Sequence, residues 1–172
     1  MLYAVLVVAL VVLDQVVKFL VRANIPPGGD VPFLPHILQL TYVQNTGAAF
    51  SLLEEHTWIL TIVSLVVSVL LVVLLVKKVF PRPFAMAALS MVLAGAVGNL
   101  IDRALLGYVT DMFETLFMRF AVFNVADICV VVGGIAFCVY YLFFHGKEEG
   151  HGGRGSTRRT RCHPPPRRCP PR

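Results

Sequence analysis

The sequence predicts an all-α integral membrane bundle of four transmembrane helices carrying a small extracytoplasmic β-containing subdomain. Composition is the first observation: 57% of the 172 residues are hydrophobic and 15% are charged, where an ordinary soluble domain has about 45–50% and about 25%. With a mean hydropathy of +0.76, this excludes a water-soluble globule. Distribution is the second: the apolar excess sits in four runs, each near the roughly 20 residues that a helix needs to cross a hydrocarbon core about 30 Å thick. Basic residues supply the third, because their asymmetry between the two sides orients such a bundle.

The first run, residues 2–21, is apolar but for Asp14, Gln15 and Lys18. It has no basic leader and Asp14 interrupts it, so it reads as a retained span and not as a cleavable export signal. Residues 22–56 follow as a long segment outside the membrane. Pro26, Pro27, Gly28 and Gly29 are turn formers there, and the β-branched, apolar stretch 37–43 predicts a strand. Residues 57–76 and 84–101 carry no charge, and residues 125–144 carry only Asp127. A shorter outer segment, 102–124, includes a second candidate strand at 116–123.

Four spans put both termini and the loop 77–83 on one side. That side holds Lys77, Lys78, Arg82, Lys147 and the arginines from Arg154 to Arg172, against Arg22, Arg103 and Arg119 opposite. The positive-inside rule makes the termini cytoplasmic, with Lys18 and Arg22 pulling the other way. The boundaries are then a membrane domain over 1–145 and a Gly/Arg/Pro cytoplasmic tail over 146–172, which has almost nothing to bury and is expected to be disordered. Much of the net charge of +5 lies in that tail, so it describes a segment able to meet lipid headgroups and no nucleic-acid-binding face. Cys129 and Cys138 fall inside the fourth span, where thiols act as small hydrophobes. Cys162, His163 and Cys169 match no zinc spacing, and His36 and His56 belong to no His-Glu-x-x-His helix. No metal or cofactor is expected.

Charges at membrane depth are costly and point to function. Asp14, Lys18 and Arg22 form one stripe at successive helical turns, and about 1.5 Å per residue puts Asp14 about 18 Å along the first span, in the outer half of the membrane. Asn99, Asp102 and Arg103 share a face at the outer end of the third span, as do Asn124 and Asp127 at the outer end of the fourth. Asp111 lies between them. Asp102, Asp111 and Asp127 can therefore all approach one point. Two carboxylates held close share a proton, so the charged one can activate water while the neutral one polarises a carbonyl. The bland alternative is pairing that only holds the bundle together, Asp102 with Arg103 or Asp14 with Lys18.

In order and spacing, Asp14-Gln15 with Lys18, Asn45-Thr46-Gly47-Ala48-Ala49-Phe50-Ser51, Gly98-Asn99-Leu100-Ile101-Asp102-Arg103, Asp111-Met112-Phe113 and Phe123-Asn124-Val125-Ala126-Asp127 resemble the lipoprotein signal peptidase family, signal peptidase II. The likeness runs from about residue 2 to 144 and leaves out the tail. It implies a monomeric aspartic endopeptidase of the bacterial inner membrane, set among phospholipid. Its substrates would be diacylglyceryl-modified prolipoproteins, cut just before the lipidated cysteine. The resemblance implies that Asp111 and Asp127 are catalytic, that Asn45, Asn99, Arg103 and Asn124 line the site with Gly47 allowing close approach, and that Asp14, Lys18 and Asp102 support it. Thr110 departs from the pattern, which leads one to expect an apolar β-branched residue before Asp111.

Two rivals remain on residues alone. Ser51 with Lys18 as base would make a serine peptidase, though no Gly-x-Ser-x-Gly elbow is present. A small proton-coupled transporter would use Asp14 and Lys18 as a relay, but it leaves the gathering of aspartates at one surface unexplained.

Overall fold

A computed structural model describes residues 1–47 and 57–144. Ala48, Ala49, Phe50, Ser51, His56 and everything from His145 onward, including Cys162, His163 and Cys169, lie outside the described residues. The elements are α1 (Leu2–Asn24), β1 (Asp30–Leu34), β2 (Leu38–Asn45), α2 (Thr57–Val76), α3 (Pro83–Leu106), β3 (Val109–Thr115) and α4 (Val125–Phe144). All four helices are long and apolar enough to cross a membrane. Two run past the expected spans, α1 beyond residue 21 and α3 beyond residue 101. Hydropathy falls where the charges begin, but the helical backbone continues because Arg22, Asp102 and Arg103 find polar partners within the protein.

Half of the apolar window of α3 is buried, against 22% or less in the other helices. It is the central helix: α1, α2 and α4 all pack on it, while α2 and α4 flank it without approaching each other. The outward faces of α1, α2 and α4 expose Val, Leu, Ile and Phe, as lipid-facing helices do. Small residues make the centre possible. Without a Cβ at Gly98, the Asp14 carboxylate approaches to 2.7 Å from where that atom would stand, and at Gly95 the α4 backbone carbonyl of Ala126 occupies the place itself. Gly95→Ala must therefore push α4 away from α3. We expect a loss of about 1–3 kcal/mol, the usual cost of overpacking, read as a lower unfolding midpoint in detergent.

The strands form one antiparallel sheet in the order β1-β2-β3. The expected strand at 37–43 is present as β2. The second expected strand, at 116–123, is absent as such. Its place is taken by residues 109–115, and the later stretch contributes a single bridge between Phe123 and Phe113. An aspartate argues against a strand by propensity, but β3 is buried on both sides over Val109–Met112, and burial overrides the local preference. β1 was not expected either. It carries Pro32, which an edge strand tolerates because the missing N–H breaks no inner ladder. Met112 packs with Val21, Ile25 and Tyr42 in a small core, which seats the sheet on the last turns of α1.

Candidate active site

β3 delivers Asp111 and the first turn of α4 delivers Asp127 to the same cavity of about 830 Å³. Its polar wall includes Asn45, Asn99, Arg103, Asp111, Asn124 and Asp127, while Phe120, Val122, Ile128, Val131 and Val132 contribute apolar surface. Gly47 lies on the rim, its N–H bonded to Asn45 Oδ1 at 3.0 Å.

Three asparagines hold the two carboxylates. Asn45 Nδ2 donates to Asp111 Oδ2 at 2.8 Å, and Asn124 Nδ2 donates to Asp111 Oδ1 at 2.6 Å. Asn99 Nδ2 donates to Asp127 Oδ1 at 2.8 Å. Asn124 also opens α4. Its side-chain oxygen accepts the Asp127 N–H at 2.9 Å, and Asp127 Oδ2 accepts the Asn124 N–H at 3.1 Å. This reciprocal pair is a capping box made with Asn and Asp, so the geometry that starts the helix also aims Asp127. Asn99 has no freedom to flip, since its oxygen accepts from Lys18 Nζ at 2.9 Å and from Asn124 Nδ2 at 3.2 Å, which leaves its amide nitrogen for Asp127. Burial pushes the Asp111 carboxyl up to about 6, with the Asp127 charge adding to the push and the Asn45 and Asn124 amides opposing it.

Behind this wall lies a buried charge network. Lys18, fully buried, pairs with Asp14 at 3.0 Å and Asp102 at 3.2 Å. Asp14 reaches across to accept the Ala126 N–H in the first turn of α4 at 2.9 Å, a donor that a helix leaves unpaired. Asp102 accepts the Thr110 N–H at 3.0 Å and lies within reach of Gln15 and Arg22. The Asp102–Arg103 pairing anticipated as an alternative is not formed. Neighbours at i and i+1 on a helix do not face each other, and Arg103 turns instead to the cavity wall, its Nη1 3.4 Å from Ser64 Oγ on α2. Arg103 Nε is buried with no hydrogen-bond partner among the described residues.

Of the three aspartates left eligible by spacing, two meet at the cavity and Asp102 does not. Lys18 is occupied by Asp14, Asp102 and Asn99, which counts against its use as the base of a serine nucleophile. Gln15, whose amide bridges Asp14, Asp102 and the Gly98 carbonyl, had no role assigned from sequence; its only signal was its place one residue after Asp14. The apolar wall from α4 was legible only as membrane span. No group of three His, Cys, Asp or Glu residues gathers to hold a metal among the described residues.

Residues 6–144 match the family described as signal peptidase (SPase) II. The lipoprotein signal peptidase of Enterococcus faecalis (strain ATCC 700802 / V583) is 45% identical over 149 residues, covering 86% of this chain and 91% of its own length. The corresponding protein of Clostridioides difficile (strain 630) is 41% identical over 150 residues, covering 87% of this chain and all of its own. A solved bacterial membrane enzyme, obtained by the in meso method at 2.3 Å resolution, superposes with a TM-score of 0.77 at 28% identity over 90% of this chain and 92% of that one. A second, at 1.9 Å resolution, gives 0.75 at 30% identity over 83% and 93%.

Proposed function

The chain belongs to the signal peptidase II family, membrane proteases that remove signal peptides from lipoproteins, and we propose that it cuts by means of Asp111 and Asp127, immediately before a diacylglyceryl-modified cysteine. The observation that carries this reading is that two carboxylates from different elements face one cavity, each held by amide donors. Burial favours the neutral acid at Asp111, which leaves Asp127 as the partner that activates water. Asp127 takes a proton from water as the oxygen attacks the scissile carbonyl, and Asp111 gives its proton to the carbonyl oxygen. As the tetrahedral intermediate collapses, the proton held by Asp127 passes to the leaving amine of the cysteine and Asp111 recovers its own. Asn45, Asn99 and Asn124 orient the pair, and Arg103 on the same wall offers a fixed positive charge to the substrate backbone.

The same reading puts both termini in the cytoplasm, with the cavity at the outer leaflet of the bacterial inner membrane. Lys77, Lys78 and Arg82 on the α2–α3 loop, at the opposite end of the helices from the sheet, support it. A signal helix can then lie in the bilayer beside the apolar wall while its lipidated cysteine reaches the dyad. The protein would work as a monomer within phospholipid, its membrane domain being 1–145 and its tail 146–172.

Purified protein in detergent should cleave a diacylglyceryl-modified prolipoprotein at the bond before the cysteine and leave the unlipidated form largely intact. No cleavage of the lipidated form would reject the reading and reopen the proton-coupled transporter. The dyad titrates as a unit, and burial makes Asp111 the member that keeps the proton up to about pH 6. Because a neutral Asp111 is the competent form, kcat/KM should fall as pH rises through about 6, while kcat, which reports the enclosed complex, should hold to higher pH. A kcat/KM that instead climbs across this range would assign the proton elsewhere.

A further inference from the structure

β3 turns alternate residues to two sides. Val109 and Asp111 line the cavity, while Met112 enters the core against α1 and Thr110, wholly buried, faces the same way. The β2 ladder does not secure this strand evenly. Between the pairs Leu40–Phe113 and Val43–Asp111 the register shifts, so Thr41 and Tyr42 together stand opposite Met112, whose N–H bonds instead to the Phe123 carbonyl at 3.0 Å. The extra residue belongs to β2, which bends there, and the ladder to β3 is interrupted beside Asp111.

Thr110 ties this strand to two helices. Its N–H donates to Asp102 Oδ2 on α3 at 3.0 Å, and its hydroxyl accepts from Arg22 Nη1 on α1 at 2.9 Å. Arg22 stands 3.9 Å from Asp102 Oδ1, so the three residues close a ring joining two helices to the strand. A valine would fill the same space but could not accept the guanidinium N–H, leaving a donor without its partner.

We propose that Thr110 and Arg22 are positioning residues for the reaction, a strap that sets β3, and with it the Asp111 carboxyl, against the substrate. This rests on the reading that Asp111 is catalytic. The strap lies on the far side of the strand from the cavity, so it acts on turnover through Asp111 and leaves substrate binding almost untouched.

The test compares wild type with Thr110→Val, Thr110→Ser, Arg22→Met, the Thr110→Val/Arg22→Met double variant and Asp111→Asn. The full chain is used in detergent with a diacylglyceryl-modified prolipoprotein, and kcat, KM and the unfolding midpoint are measured. Thr110→Val should lower kcat about tenfold with KM within about twofold, as expected for misplacement without lost binding. Thr110→Ser, which keeps the hydroxyl, should restore it. The double variant should be no worse than either single one, because both remove the same bond. Wild-type kcat in Thr110→Val and Arg22→Met, with Asp111→Asn inactive, would overturn the strap and spare the dyad. Failure of Thr110→Ser to restore turnover, or a lowered midpoint with unchanged kcat, would also overturn it. An active Asp111→Asn would remove the reading on which the strap rests. Should Thr110→Val not fold, Arg22→Met probes the same bond from its partly exposed end.

Discussion

Asp111→Asn and Asp127→Asn are each expected to lower kcat by about 10⁴-fold, the scale at which members of a catalytic unit fail when removed singly. Neither amide can give up a proton to the carbonyl oxygen or take one from water, so either change stops the exchange. The double variant should be scarcely worse than the single ones, because the two act as a unit. Asp127→Asn also exchanges one capping-box oxygen for an amide, so both variants need an unfolding midpoint close to wild type for the comparison to stand. Appreciable turnover in either would sink the aspartic mechanism outright. Asp102 offers no substitute: its Oδ2 is committed to Lys18 and the Thr110 N–H and its Oδ1 to Gln15, away from the cavity.

Lys18→Met should cost about 3–5 kcal/mol of stability, the cost of breaking a buried ion pair on one side. The Lys18 ammonium is wholly buried between two carboxylates that are themselves 1% exposed, and a methionine of similar length fills its space while leaving Asp14 without its cation and Asp102 with only Arg22, 3.9 Å away. Activity should fall as well, since Asn99 loses the shorter of the two hydrogen bonds that hold its oxygen away from Asp127. The triple variant Asp14→Asn, Lys18→Met, Asp102→Asn removes the charges together and is expected to recover much of the lost stability. If Lys18→Met unfolds at the wild-type midpoint, the network is not a stabilising element. A triple variant as unstable as the single one would mean that the cost came from lost packing and not from unpaired charge.

The four helices were readable because a membrane span is a matter of length and apolarity, and both are written in the residue order. The polar residues were readable for the complementary reason. Asp14, Lys18, Asn99, Asp102 and Asp127 are expensive where they stand, and their spacing by three and four puts them on defined helix faces. The strand at 109–115 was not readable, because an aspartate inside a strand is decided by what buries it and not by its own propensity. Nor could spacing choose between Asp102 and Asp111, since both lie close in the chain to the outer end of α3.

By itself, then, the residue order determined the number and ends of the spans to within a few residues, the gathering of charge at one end of the bundle, and the set of candidate carboxylates. Only the tertiary structure decided which of them meet. Asp102 turns toward α1 because Lys18 is there to neutralise it. Asp111 faces the cavity because strand alternation sends Thr110 and Met112 to α1. Asp127 is aimed by Asn124, whose side chain caps α4 and reaches Asp111 in the same conformation. Apart from the cap itself, which joins residues three apart, these outcomes depend on partners 13 or more residues apart in the chain. Hydrogen bonding and charge neutralisation over such separations are properties of the packed bundle, and no local pattern encodes them.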